Sequence, residues 1–186
     1  MNNYIEFTHS DKSLNKNIKR ECFCKLVEIN DIKDAISKNN FSGIAHVYNN
    51  NKLIYKVAVS DGNFNGEFIK YEDFVPKSLY GSATGLIAGW RQPVLVANYR
   101  SNLLDGLLTI YKQDGTKLFA FTYNMSTLDG EQKHYVDYSK FVHLYKKGVW
   151  EKTTKMAKSW IWSDKSNELE SHLELVKQHQ RNLQQC

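Results

Sequence analysis

The sequence predicts a mainly β fold: a single-layer antiparallel meander of repeated β-hairpins, with a short N-terminal helix and a C-terminal helix. Dipeptides of the Asp-Gly or Asn-Gly type, which favour tight hairpin turns, recur through the middle of the chain. Eleven tyrosines and only two prolines suit paired strands, because proline cannot donate to a strand ladder. A glycine is followed five residues later by an aromatic residue at Gly43/Tyr48, Gly66/Tyr71, Gly85/Trp90, Gly106/Tyr111 and Gly130/Tyr135.

Residues 1–40 form a predicted polar N-terminal segment with a short strand and a short helix. Short strands are predicted over residues 4–7 and 22–29, the second from its loose apolar alternation. A short helix is predicted over residues 30–40, with Asn30 as the N-cap. Its apolar face consists of Ile32, Ala35 and Ile36.

Residues 41–150 form the predicted hairpin-repeat domain, in which each glycine–aromatic pair precedes a polar turn and a second apolar run. The glycine is expected to complete a tight turn and to start a strand close to its neighbour's backbone. Leu107, Thr109 and Tyr111 should share one face of the sheet, because strand side chains alternate. The recurring aromatics then form a row along the sheet, and the irregular stretch after Tyr71 indicates a loop.

Residues 151–186 form a predicted tryptophan-containing cap, with Trp160 and Trp162, and a C-terminal amphipathic helix. Leu169, Leu173 and Val176 give that helix a narrow apolar stripe. The helix is interpreted either as a cap on the end of the repeats or as an arm that binds a partner.

The totals fit one soluble domain with a small appendage: 186 residues with a net charge of +5. This mild charge favours an acidic protein or an anionic lipid surface, and without a basic run it predicts no nucleic-acid binding. Cys22, Cys24 and Cys186 make neither a disulfide framework nor a zinc site, which favours a reduced, cytoplasmic setting. The N-terminus lacks a signal-peptide core, and no apolar run reaches the roughly 20 residues of a membrane span.

No catalytic, metal-binding or cofactor-binding motif is recognised, so neither an enzyme nor a cofactor is predicted. His46 and His134 are interpreted as surface or cross-strand residues, and the six histidines leave an enzyme on an unrecognised β-rich fold as a third alternative.

The stretch "LDGLLTIYKQDGTKLFAFTYNMSTLDGEQKHY" resembles the MORN-type repeats, specifically the bacterial variant found in YwqK-like antitoxins. The matching pieces are "DGTKL", "LDGLLTIY" and "LDGEQKHY", and the resemblance covers about residues 41–150. The resemblance implies a scaffold that brings no catalytic residues.

The expected function is therefore a non-enzymatic protein-binding module of the antitoxin or immunity type, which neutralises another protein by binding it. The expected partner-binding residues are Tyr71, Trp90, Tyr111 and Tyr135, with burial of these aromatics in the core as the alternative. A second hypothesis is a peripheral membrane-associated scaffold or effector that binds anionic lipid. Its contacts would be Lys146, Lys147, Lys152, Lys155 and Lys158.

Overall fold

A computed structural model describes residues 3–10, 19–23, 29–73, 91–136 and 139–157. These residues form one helix and a single 13-stranded antiparallel sheet, which confirms the predicted β meander. From one edge to the other the main strands lie in the order β2-β1-β3-β4-β5-β6-β8-β9-β11-β12-β13, with β7 paired to β6 and β10 to β9. The strands are β1 (Asn3–His9), β2 (Lys19–Phe23), β3 (Gly43–Asn49), β4 (Lys52–Ser60), β5 (Asn63–Asp73), β6 (Arg91–Arg100), β7 (Leu103–Leu104), β8 (Gly106–Tyr111), β9 (Lys117–Asn124), β10 (Thr127–Leu128), β11 (Gly130–Val136), β12 (Ser139–Lys146) and β13 (Val149–Ala157); the helix is α1 (Ile29–Lys38).

The N-terminal strands belong to the same sheet as the repeats. β1 lies between β2 and β3, and Tyr4 is opposite both Cys22 and Tyr48. The strand predicted over residues 4–7 is confirmed. The strand predicted over 22–29 is confirmed at Cys22 and Phe23 and wrong at Ile29, which begins the helix; residues 24–28 lie outside the described residues.

The helix packs its predicted apolar face against the sheet. Ile32, Ala35 and Ile36 are buried in one hydrophobic cluster with sheet residues such as Phe64. Asn30, predicted as the N-cap, lies within the helix. The Asn39 side-chain amide donates to the Ala35 carbonyl at 2.7 Å and satisfies one of the last carbonyls of the helix.

The sheet has an inner face, covered in part by α1, and an opposite outer face. Residues opposite each other in antiparallel strands share a face, so the register assigns each side chain. The inner face carries most of the large fully buried side chains, including Phe7, Val47, Val57, Phe64, Leu108, Phe119 and Phe121. The hydrophobic core therefore runs along one side of the sheet.

Tight two-residue turns connect the hairpins at five places, and both turn residues have positive φ in each. This is the type I′ geometry, whose twist matches that of the flanking strands. The turns are Asn50-Asn51, Asp61-Gly62, Ser101-Asn102, Met125-Ser126 and Lys147-Gly148.

Neighbouring hairpins are joined by a backbone hydrogen bond that recurs in equivalent positions. The second residue of a turn donates its N–H to a backbone carbonyl of the neighbouring hairpin. That carbonyl belongs to the residue two positions before the glycine of the glycine–aromatic repeat. The four bonds are Gly62 to Phe41 (2.9 Å), Asn102 to Phe64 (2.9 Å), Ser126 to Leu104 (2.7 Å) and Gly148 to Leu128 (2.8 Å). The chain therefore has a β-hairpin-repeat architecture.

Three of the Asp-Gly and Asn-Gly dipeptides lie at bulges, although the sequence predicts tight turns there. Asn65-Gly66, Asp105-Gly106 and Asp129-Gly130 each come shortly after a two-residue turn. At Gly130 the strand advances from Leu128 to Lys133 while its partner β9 moves only from Tyr123 to Ala120. Two extra residues are accommodated there, and positive φ at the glycine makes this possible.

Asn51 offers a test of the turn geometry. Asn51→Gly is expected to raise the free energy of unfolding by about 0.5–1 kcal/mol, because Asn50 would then precede glycine in the preferred type I′ pair. Asn51→Ala is expected to lower it by about 1 kcal/mol, because alanine resists the φ of 62°. Urea unfolding of both variants measures the difference; equal effects of the same sign would contradict the assigned turn.

The chain from residue 151 onward begins with a strand, because β13 extends to Ala157. Trp160, Trp162 and the predicted C-terminal helix lie outside the described residues, as does the Gly85/Trp90 repeat. β5 pairs directly with β6, so the chain on either side of residues 74–90 forms neighbouring strands.

Candidate binding surface

Three of the four predicted partner-binding residues lie on the outer face. Phe68 and Leu108 belong to the inner-face core, so alternation places Tyr71 and Tyr111 on the opposite side. His134 stacks on Phe119 on the inner face, which places Tyr135 on the outer face as well. The tyrosines are half-buried, and Trp90 lies outside the described residues.

These tyrosines occupy one end of the sheet at regular intervals. β5, β8 and β11 run in the same direction, and each tyrosine lies near the C-terminal end of its strand. One strand separates β8 from β5 and one separates β11 from β8. Strands lie about 4.8 Å apart, so successive tyrosines are spaced by roughly 10 Å. We call Tyr71, Tyr111 and Tyr135 the tyrosine row.

The tyrosine row is separate from the hydrophobic core. The core and the partly buried residues packed against it include Tyr55, Tyr99 and Tyr123. None of the three row members belongs to that set. The C-terminal helix, beneath which the alternative would bury them, lies outside the described residues. Strand separation also prevents the expected cross-strand aromatic pairs within the row, and such pairs occur on the inner face, where Phe68 meets Tyr99 at 5.7 Å.

Basic side chains accompany the tyrosine row. Lys117 is opposite Tyr111 and Lys140 is opposite Tyr135 in the strand register. Near Tyr71, the Arg91 guanidinium donates from Nη2 to the Tyr71 carbonyl at 2.6 Å, and its Nη1 lies 3.8 Å from Asp73. The row therefore combines aromatic surface with positive charge, which suits an acidic partner.

His46 lies on the outer face among charged residues. In the register it stands between Glu6 on β1 and Lys56 on β4. Burial lowers the pKa of His46 below its ordinary 6.5, Glu6 opposes this by raising it, and Lys56 lowers it further. The position agrees with the predicted cross-strand role, and His46 is neutral near pH 7.

The lowered pKa of His46 predicts a pH-dependent contribution to stability. The His46 side chain binds its proton more strongly in the unfolded chain than in the folded chain. The contribution of neutral His46 to the free energy of unfolding is therefore fully present above the unfolded pKa of 6.5, and it is lost as pH falls through the folded pKa. His46→Gln should therefore flatten the slope of the unfolding free energy between about pH 7.5 and about pH 5. Denaturant unfolding across that range checks it; a steeper slope in the variant would contradict the direction of the shift.

A buried polar cluster on the inner face was missed by the sequence analysis. Gln132 and His143 are opposite each other on β11 and β12, and both are fully buried. The Gln132 amide accepts from the Thr122 N–H at 2.7 Å and donates to the Thr122 carbonyl at 3.0 Å. It thereby replaces the strand pairing that is displaced at the Gly130 bulge. The alternation in "GEQKHY" could have indicated this position, because it places Gln132 on the same face as Gly130.

His143 contacts the last strand through a hydroxyl. Its Nδ1 lies 2.8 Å from the Thr153 Oγ1, and the Trp150 indole N–H donates to the same oxygen at 3.0 Å. On β9, two strands from β12, burial raises the pKa of Tyr123 to about 12, so that phenol stays protonated. These contacts tie β12 to β13 and account for the polar side chains as parts of the packing.

His134 behaves as a cross-strand residue. It is opposite Phe119 in the register, and the two rings stack with centroids 4.4 Å apart. Within the described residues no group of three or more His, Cys, Asp or Glu side chains could hold a metal ion. Nor is the helix in that part of the chain long and apolar enough to cross a membrane.

Comparisons with known proteins identify no relative. No family model, no curated protein and no solved structure matches the chain.

Proposed function

We propose that the chain is a non-enzymatic, cytoplasmic protein-binding module of the antitoxin or immunity type, which neutralises another protein by occupying its surface. The observation that carries the proposal is the tyrosine row, which lies outside the core and beside basic side chains. Tyrosine is enriched among the residues that dominate binding energy at protein interfaces.

The sheet supplies the rigidity that such a module needs. The hairpins are joined by recurring backbone bonds such as Ser126 to Leu104, and the tyrosines stand on strands instead of loops. A tyrosine on a rigid strand loses little conformational freedom on binding, so more of its contact energy appears as affinity. Trp90 extends the proposed contact set.

The repeat architecture supports a relationship to the MORN-type repeats of YwqK-like antitoxins. The glycines at positions 43, 66, 106 and 130 occupy equivalent places with respect to the hairpin-to-hairpin bonds. The unit that repeats in the sequence therefore also repeats in the backbone hydrogen bonds, as is expected of a repeat scaffold.

The test is capture of a partner from the native host by the tagged chain and by Tyr111→Ala/Tyr135→Ala. A captured protein is identified, purified and titrated, and the double variant should weaken its binding by about 30-fold or more, since interface tyrosines contribute about 2 kcal/mol or more. The matched control is Leu103→Ala/Met125→Ala, which removes exposed apolar side chains at the turn end of the sheet. Circular dichroism verifies folding; a folded double variant with wild-type affinity would refute the proposed contact surface.

A second candidate function, binding of anionic lipid, is favoured by the hairpin between β12 and β13. Val149 and Trp150 are 67% and 46% exposed, and Lys146, Lys147 and Lys152 around them are exposed too. An apolar tip among lysines suits an anionic membrane surface, at about 1 kcal/mol per lysine. Lys155 lies on β13, and Lys158 lies outside the described residues.

Vesicle flotation distinguishes the two candidates. If lipid is the partner, the chain floats with phosphatidylserine vesicles and not with phosphatidylcholine vesicles, and Lys146→Gln/Lys147→Gln abolishes flotation. If protein binding is the function, neither vesicle carries the chain.

A further inference from the structure

The last strand presents an open edge within the described part of the sheet. β13 is the terminal strand in the order and pairs with β12 on one side only. Its described side chains from Val149 to Lys152, and Thr154, are exposed. An edge strand offers a row of backbone donors and acceptors to another extended chain.

The sequence of β13 is complementary to itself in one antiparallel register. When Thr153 faces Thr153 of a second copy, Lys152 faces Thr154 and Glu151 faces Lys155. Twofold symmetry then gives two opposite-charge pairs and a central threonine pair, all of which stabilise paired strands. The adjacent register, centred on Lys152, would instead place like charges opposite each other and is disfavoured.

Glu151 lies at a bulge near the start of β13. Tyr145 is opposite Trp150, while Leu144 is opposite Lys152, so Glu151 has no residue opposite it on β12. The pairing with β12 continues in regular register from Lys152 to Ala157. Residues 152–155 of the proposed contact therefore lie in regular strand, and Glu151 lies at the bulge that precedes them.

We propose that two copies of the chain associate through antiparallel pairing of their β13 strands about Thr153, forming one continuous sheet across a twofold axis. Each dimer then has one Glu151–Lys155 pair on either side of the central threonine pair. Pairing of β13 with the opposite edge strand, β2, would be head-to-tail, and it gives open-ended assemblies unless the rotation closes a ring. The twofold arrangement is preferred because it closes and because it matches the charges of β13.

Sedimentation velocity over a range of protein concentrations tests the proposal. The wild-type chain should show a monomer–dimer equilibrium. Glu151→Lys and Lys155→Glu should each weaken the dimer by about tenfold or more, because each change replaces two attractive cross-strand pairs with two repulsive ones. An equimolar mixture of the two variants should restore dimers, since each chain supplies the charge that the other lacks.

The control is Lys147→Glu, which alters charge in the exposed turn outside the paired strand and should leave the equilibrium unchanged. A wild-type chain that stays monomeric at all concentrations would overturn the proposal, as would open-ended oligomers. A dimer that is as stable in both charge-reversal variants as in the wild type would overturn it as well. So would a mixture of the two variants that does not form dimers although circular dichroism shows both to be folded.

Discussion

Replacing Gly43 with alanine is expected to destabilise the fold by about 3–5 kcal/mol, through backbone strain and overpacking together. A Cβ atom at this position would overlap the Thr8 carbonyl oxygen and lie 2.9 Å from the His9 Cα. Both atoms are backbone of β1, which pairs with β3 here, so neither can move without separating the strands. The φ of +148° adds a second cost, because residues with a side chain rarely adopt it.

Gly106→Ala is the matched control for that clash. Gly106 also has positive φ, at +98°, but the nearest atom to its added Cβ is the Asn98 Cβ at an ordinary 3.7 Å. This variant should therefore lose only the stability that the strained backbone conformation costs, about 1–3 kcal/mol of the free energy of unfolding. Urea unfolding of both variants measures the difference, and equal losses would show that β1 does not constrain Gly43 as the structure places it.

Replacing Gln132 with leucine is expected to destabilise the fold by about 2–3 kcal/mol, although leucine is of similar size and more apolar. The change leaves the Thr122 N–H without its acceptor, while the Thr122 carbonyl loses one of two donors and keeps the Asp129 N–H at 3.0 Å. Unsatisfied buried backbone groups cost about 1–3 kcal/mol each. The side chain also donates to the Gly130 carbonyl at 3.3 Å, so the bulge would lose its internal support.

Asn98→Leu is the matched control, because it also replaces an amide side chain with leucine but at an exposed position. Asn98 is exposed, and its amide donates to the Leu107 carbonyl at 3.4 Å. Its loss should change the free energy of unfolding by no more than about 0.5 kcal/mol. If urea unfolding gives the two leucine variants similar free energies, the buried amide of Gln132 does not bridge the bulge.

The β meander was predictable because its local signals agree with one another. Glycine and asparagine recur where positive φ is required, and the buried residues of β1 and β3 alternate with period two. The location of each turn was less predictable. Asp61-Gly62 is a two-residue turn while Asp129-Gly130 is a bulge, and both require positive φ at the glycine. Only the pairing of the strands, which is non-local, distinguishes the two.

The candidate surface shows the same division. Alternation alone correctly placed Leu107, Thr109 and Tyr111 on one face, opposite Leu108. The lysine opposite Tyr111 could not be foreseen, because the five-residue connection at 112–116 and a bulge set that register. Burial of Gln132 also depends on which strand becomes its neighbour, which local periodicity does not specify.

The hairpin-to-hairpin bonds have an evolutionary consequence. Each hairpin is held by its immediate neighbours through the same bond, such as Ser126 to Leu104 or Gly148 to Leu128. A segment like residues 105–128 could therefore be duplicated in the gene without a new kind of junction, since the inserted copy would present matching donors and acceptors to both sides. Such a duplication would lengthen the outer face by two strands and one tyrosine, so descendants of this chain could match partners of different length by changing copy number.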